Sequence, residues 1–269
     1  MPKLPHSLPE PDVDALRRSD LLQSFLIQRI AEQGVMPFAE FMEHCLYHPE
    51  WGYYTSVENI FGADGDFVTA PEMGPFFALG IAQHLSELWL TNQPQDNLNQ
   101  AVDLVEIGAG SGQLAYDLIQ QWPYASVAVA SYTIIERSPK LRERQRQKLV
   151  DLCAEKNVKL IHRDELPDQF EGLLIANEVM DALPVERIKV GANGIARLGV
   201  DWNQQQATFE WRDIEASDAL LSLAEHRLKP IQNLISEKGF PLPFTTEIHE
   251  ALIQWMQGLG QRLKRGALL

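Results

Sequence analysis

A chain of 269 residues, 45% apolar and 22% charged, is long enough to bury one large core or two smaller ones. A formal net charge of −14 argues against a broad nucleic-acid surface, which needs clustered Lys and Arg to displace phosphate counterions, and favours a neutral or basic partner. Cys45 and Cys153 alone cannot supply a disulfide framework or a cysteine zinc site. No run approaches about 18 consecutive apolar residues, so no membrane insertion is expected. The start, Met1-Pro2-Lys3-Leu4-Pro5-His6, lacks the pattern of a signal or transit peptide, so the expected setting is a bacterial-type cytoplasm.

Residues 1–12 read as a proline-dotted, mobile leader. Leu22, Phe25, Leu26 and Ile30 recur at helical spacing within Asp14 to Gln33, and Gly34 closes that helix. Pro37 opens a second helix with Phe38, Phe41, Met42 and Cys45 inward, ended by His48-Pro49. The glycine-rich run Phe61 to Phe67 reads as a folded loop, and Pro75 to Leu90 as a helix with Phe76, Leu79, Ile81, Leu85 and Leu88 apolar. His44 and His48 share a helical i, i+4 spacing but lack a clear third ligand, so no metal site is expected. Turn-rich Asn92 to Gln100 is the expected boundary between a helical cap (13–99) and a main domain (100–269).

From Val102 strands and helices alternate. Strands are predicted at Asp103–Ile107, Tyr132–Glu136, Val158–Ile161 and Leu173–Asn177, with helices at Gly112–Gln121 and Ser138–Ala154. That order predicts an α/β fold with a doubly wound, Rossmann-like parallel sheet. Short alternating runs separated by Asn-Gly and Asn-Gln turns predict an antiparallel β insertion at about 186–212. Helices are predicted again near 216–235 and over Thr246–Leu263. Gly266-Ala267-Leu268-Leu269 reads as the opening of a buried strand, so C-terminal strands are expected to be missing.

The chemistry concentrates at strand ends. Asp103 to Gly112 is an apolar strand opening into Gly108, Gly110 and Gly112. Without side chains there, a ligand can rest directly on the turn and on the following helix N-terminus. A dinucleotide fingerprint wants its third glycine one position later, where Gln113 stands, so the spacing suits S-adenosylmethionine better than NAD. Glu106 either faces the methionine part of that cofactor or orients the turn. Glu136 ends the next strand and is placed to accept both ribose hydroxyls; otherwise it helps cap the helix after it. Asp164, past the third strand, is a candidate acceptor for the adenine amino group.

Leu173 to Pro184 is a continuous apolar strand that opens into Asn177, Glu178 and Asp181. Carboxylates beside a sulfonium suit a cationic or amine nucleophile, and a pair such as Glu178 and Glu186 could hold a guanidinium fork. Alternatively Asn177 and Asp181 only satisfy loop backbone groups. Asp66, within Gly65 to Glu72, is a further candidate for proton acceptance, in a loop that forms either a substrate wall or a packing contact.

These pieces occur together and in order: Phe38-Ala39-Glu40-Phe41-Met42, Tyr47 to Tyr54, Gly65 to Glu72, Glu106 to Gly112, Glu136 to Arg142, and Asn177 to Pro184. Over about Leu22 to Leu269 the chain resembles the MidA-type methyltransferase family, which includes the mitochondrial complex I assembly factor that methylates arginine. The resemblance implies a class I S-adenosylmethionine-dependent methyltransferase core. Gly108, Gly110 and Gly112 would be the cofactor turn and Glu136 the ribose acid. It further implies a protein arginine as acceptor and a link to assembly of a respiratory NADH dehydrogenase; the acidic net charge suits a basic, arginine-bearing partner, and a homodimer is a further expectation. The family continues past Leu269 with further strands, and its arginine target belongs to the mitochondrial branch. A non-catalytic S-adenosylmethionine-binding assembly factor and a small-molecule methyltransferase are the rival expectations.

Overall fold

The computed structural model describes residues 11–56, 68–92, 100–237 and 241–269. Helix α1 (Val13–Gln33) begins where the Asp12 carboxylate accepts from the Ala15 amide at 2.6 Å, and it ends at Gly34 with φ 85°. A short strand β1 (Met36–Pro37) leads into α2 (Phe38–Tyr47) and α3 (Tyr53–Ser56). A 3-10 turn at Ala70–Met73 precedes α4 (Phe76–Thr91). Then come β2 (Val102–Ile107), α5 (Gln113–Gln121), β3 (Val129–Ile135), α6 (Pro139–Glu155), β4 (Lys159–Arg163) and β5 (Phe170–Ile175). The chain continues through β6 (Glu186–Gly191), β7 (Gly194–Asn203), β8 (Thr208–Ile214), α7 (Asp218–Glu237), β9 (Phe244–Ile248), α8 (Glu250–Arg262) and β10 (Leu263–Leu268).

Contacts divide the chain into two compact units, each made of two segments: Met1–Val57 with Leu183–Ala251, and Glu58–Ala182 with Leu252–Leu269. The expected division into a cap at 13–99 and a core at 100–269 follows sequence order; the contacts do not. The β segment expected as an insertion into the core groups with the N-terminal helices, and α4 groups with the parallel sheet. Residues 93–99, most of the expected boundary, lie outside the described residues.

The second unit holds a parallel sheet in the order β10-β5-β2-β3-β4. Alternate side chains of each strand go to opposite faces, so Leu104, Tyr132, Ile134, Leu173 and Ile175 join one cluster with α4, α5 and α6. Val105, Ile135 and Leu174 join another, with Leu259 of α8. Burial on both faces explains why Leu173-Leu174-Ile175 is continuously apolar. Helix α4 buries part of the expected apolar set: Leu85 is in the core, and Ile81 and Leu88 pack against it. Phe76 and Leu79 are 83% and 41% exposed, and the buried stripe is Ala78, Ala82, Leu85, Ser86 and Trp89. Small residues let this helix approach closely, and the large apolar ones at its start are left outside.

The other unit contains an antiparallel sheet, β1-β7-β6-β9, with β8 paired to β7. Leu26 and Ile30 of α1 pack with Met36, Trp202 and Phe209. Leu220, Ala224 and Leu228 of α7 pack with Ile188 and Ile248. The helix expected from Thr246 is corrected: Phe244–Ile248 is a strand, antiparallel to β6, and helix starts at Glu250. Phe244, Thr246 and Ile248 turn inward while Thr245 and Glu247 are exposed, the two-residue period of a half-buried strand.

Candidate active site

Apart from Glu186, the described candidate residues fall in the parallel-sheet unit, at the carboxyl ends of neighbouring strands, where open α/β sheets bind ligands. The glycine turn follows β2. Gly108, Gly110 and Gly112 have φ of 66°, 53° and 78°, a left-handed conformation that costs an L side chain energy and glycine none. The Gly108 amide donates to Ile135 O at 3.1 Å, which fastens the turn to the end of β3. A Cβ at Gly108 would lie 3.4 Å from Val179 Cγ2, so the turn and the Asn177–Asp181 loop are neighbours. A Cβ at Gly112 would lie 3.4 Å from Gln145 Cγ. Gly112 is also the N-cap of α5 and has no side chain to cap it, a helix end of the kind that suits an anionic group.

Glu136 follows β3. Its Oε1 accepts from the Ser138 amide at 2.9 Å and its Oε2 from Gln145 Nε2 at 3.4 Å. Burial pushes its pKa up, and the Ser138 and Gln145 hydrogen bonds hold it down in part. Its own amide donates to Arg163 O at 2.9 Å, which sets it beside the end of β4. Asp164 stands there, largely exposed, with Arg142 of α6 at 2.5 Å. An adenine amino group would therefore meet a carboxylate already shared with a guanidinium.

After β5, Asn177 is half buried, Glu178 and Asp181 are exposed, and Met180–Ala182 form a 3-10 turn. Glu178 has φ 52°, an uncommon conformation for a side-chain-bearing residue and one found at functional turns. Neither Glu178 nor Asp181 is tied up in an ion pair among the described residues. Glu186, expected as a second acid for the guanidinium fork, is committed elsewhere. It lies in β6 of the antiparallel unit, nearly buried, and takes the Arg197 guanidinium through Nε at 2.7 Å and Nη2 at 2.5 Å. Asp66 lies outside the described residues.

Glu106 points into the sheet, 2% exposed, and Tyr132 Oη donates to its Oε2 at 2.8 Å. Burial lifts its pKa from 4.5 to about 7, with the Tyr132 bond opposing. A raised folded-state pKa means that the folded chain holds this proton more tightly than the unfolded one. The stability it contributes is fully present below about pH 4.5 and is lost as the pH rises through about 7. Relative to Glu106→Gln, which cannot ionise, the native chain should lose about 3 kcal/mol across that window. Urea unfolding of both proteins from pH 4.5 to 8 measures it, and parallel curves would place the proton elsewhere.

Three partners of the turn were not picked out from the sequence. Ser111 donates its hydroxyl to Glu72 Oε1, and Gln113 N donates back to Ser111 Oγ at 3.2 Å. Lys148 Nζ donates to Gln113 Oε1 at 2.8 Å. Gln145, wholly buried, donates through Nε2 to Gly110 O at 3.0 Å as well as to Glu136, and its Oε1 is a buried acceptor without a partner among the described residues. Glu72 ended a run already noted for its acids; nothing local marked Gln145 or Lys148 in a charged helix.

A cradle that a Cβ would fill, an acid at the next strand end and an orphaned buried acceptor beside both fit an adenosyl amino-acid ligand. Residues 80–269 match the family described as "Putative S-adenosyl-L-methionine-dependent methyltransferase". The chain is 28% identical over 263 residues to the Drosophila melanogaster "Protein arginine methyltransferase NDUFAF7 homolog, mitochondrial", covering 90% of this chain and 56% of that protein. The Caenorhabditis elegans protein of the same name is 26% identical, over 73% of this chain and 48% of its own length. The chain thus spans about half the length of the curated relatives it matches. A crystal structure from Burkholderia thailandensis, bound to S-adenosyl-homocysteine, superposes with a TM-score of 0.82 at 32% identity, over 97% of this chain and 64% of that one. With a class I type of parallel sheet, a left-handed glycine turn and this match over most of its length, the chain belongs to the MidA-type family of S-adenosyl-L-methionine-dependent methyltransferases.

Proposed function

We propose that the chain binds S-adenosylmethionine at the Gly108–Gly112 turn and takes part in methylating an arginine of a basic protein. The observation that carries this reading is the closeness of Gly108 to Val179, which brings the ligand turn against the Asn177–Asp181 loop. Glu136 would hold the ribose hydroxyls, with Asp164 near the adenine edge and the α5 N-terminus near the carboxylate of the methionine part. Glu106 would orient the turn through Tyr132, from beneath. When bound, the cofactor supplies an electrophilic methyl group on a sulfonium sulfur.

The protein's own contribution is positioning and charge. A guanidinium stays protonated until attack, so a carboxylate must localise its charge and accept one proton as the new N–C bond forms. Glu178, exposed at a left-handed turn beside the glycine cradle, is suited to that task, with Asn177 and Asp181 flanking it. Asp66 is retained as a second proton acceptor from the sequence alone. Arginine specificity and a role in assembling a respiratory NADH dehydrogenase draw their support from the named relatives and from the family resemblance.

Methyl-labelled S-adenosylmethionine tests the proposal. Label is expected on arginine of a basic protein substrate. Label confined to small molecules, or cofactor binding without any transfer, would overturn it in favour of the small-molecule enzyme or the scaffold. Glu178→Gln should lower turnover about 100-fold while cofactor affinity changes less than about threefold. Equal loss of both would assign Glu178 to the cofactor pocket.

A further inference from the structure

We infer that Gln145 is a positioning residue that locks the glycine turn and the ribose acid into one preformed unit. The inference rests on the reading of this crevice as the cofactor site and adds to it the device that sets the crevice's width. The residue lies one turn before Lys148 on α6 and is 0% exposed. Its Nε2 is shared between Gly110 O at 3.0 Å and Glu136 Oε2 at 3.4 Å, the two sides of the crevice. Its Cγ lies 3.4 Å from where a Gly112 Cβ would be, so it also fixes how closely α6 approaches the turn.

Only a residue with a donor at this length can join both acceptors. Leucine or methionine would fill the volume but leave Gly110 O unpaired, and a lysine would bring a charge into the packing against Gly112. The amide oxygen is the second observation. Gln145 Oε1 is buried and has no partner among the described residues, an arrangement that costs free energy in the absence of a donor. Because Nε2 is held by Gly110 and Glu136, the amide cannot flip to relieve it. The charged groups around the amide are Glu136, with Arg142 near it, and, a turn further along α6, Lys148, which Glu72, Arg144 and Asp117 surround.

The substitution Gln145→Glu turns this geometry into a pH readout. Two carboxylates would then share the place of one carboxylate and one amide. With both ionised they repel and the crevice opens; when the pair takes up one proton, the protonated acid again donates to its neighbour. A packing role alone gives no such dependence.

Calorimetric titration with S-adenosylmethionine from pH 6 to 8.5, on the whole chain, decides the matter. Gln145→Leu is expected to weaken binding about tenfold at every pH. Gln145→Glu is expected to weaken it at least as much at pH 8.5 and to approach the native value at pH 6. In the cofactor-free protein, hydrogen exchange at the Gly112 amide, which donates to Ala109 O at 2.8 Å, should quicken several-fold in Gln145→Leu. Native-like affinity for both variants at every pH, or unchanged exchange in the free protein, would overturn the inference. If the native chain binds no cofactor, the reading of the site fails, while the exchange measurement still decides the clamp.

Discussion

Replacing Gly266 with alanine is expected to lower the stability of the chain by about 4 kcal/mol, read from the midpoint of urea unfolding. Gly266 lies in β10 opposite Gly172 of β5, with φ of 142° and 145°. A Cβ at Gly266 would fall 1.7 Å from Gly172 O, and one at Gly172 would fall 2.2 Å from Asp103 O. Both obstacles are backbone atoms of paired strands, so neither a rotamer change nor a flexible side chain can relieve them. The strands must separate, losing sheet hydrogen bonds and the packing of Leu173 and Leu174. Gly258→Ala is the control. It lies inside α8, where an added Cβ meets nothing within 4 Å, and should stabilise by about 0.5–1 kcal/mol through helix propensity. Similar results at both positions would show that strand contact at Gly266 is not what sets its cost.

Replacing Glu136 with alanine should weaken S-adenosylmethionine binding about 100-fold in a calorimetric titration. Hydrogen bonds to a charged acceptor are worth about 1.5–3 kcal/mol each, and a ribose offers two hydroxyls to this carboxylate. The carboxylate is already oriented by Ser138 N and Gln145 Nε2, so little ordering remains to be done on binding. Unchanged affinity would mean that Glu136 only caps α6. The same substitution in the free protein separates the two roles, because a pure cap shows its whole effect in stability and none in binding.

Legibility followed the range of the interactions. The four parallel strands after Val102 were readable because apolar runs and glycine punctuation are local, and the left-handed turn was readable because glycine alone fits it. The strand at Phe244–Ile248 was missed because its five residues run directly into a helix, and helical spacing beyond Glu250 outweighed the short alternation before it. The apolar set of α4 was legible in part: Ile81, Leu85 and Leu88 reach the core, whereas Phe76 stays outside and the small Ala78 and Ala82, which hydrophobicity alone does not single out, are buried. Glu186 looked like a partner for Glu178 by sequence proximity, yet strand pairing sets it against Arg197. Gln145 carries no local signal, since its meaning comes from Gly110 and Glu136 on other elements.

The interleaving of the two units has a consequence for dissection. Met36 pairs with Val200, and Ala267 with Leu173, so each half of the architecture is completed by residues from beyond the other. A single cut between the two segments of either unit therefore separates strands that pair with each other, and no one continuous stretch confined to a single unit holds a complete sheet. Excising the middle of the chain and rejoining the ends is the route to an isolated module. During synthesis, likewise, neither sheet gains its last strand until long after its first has been made.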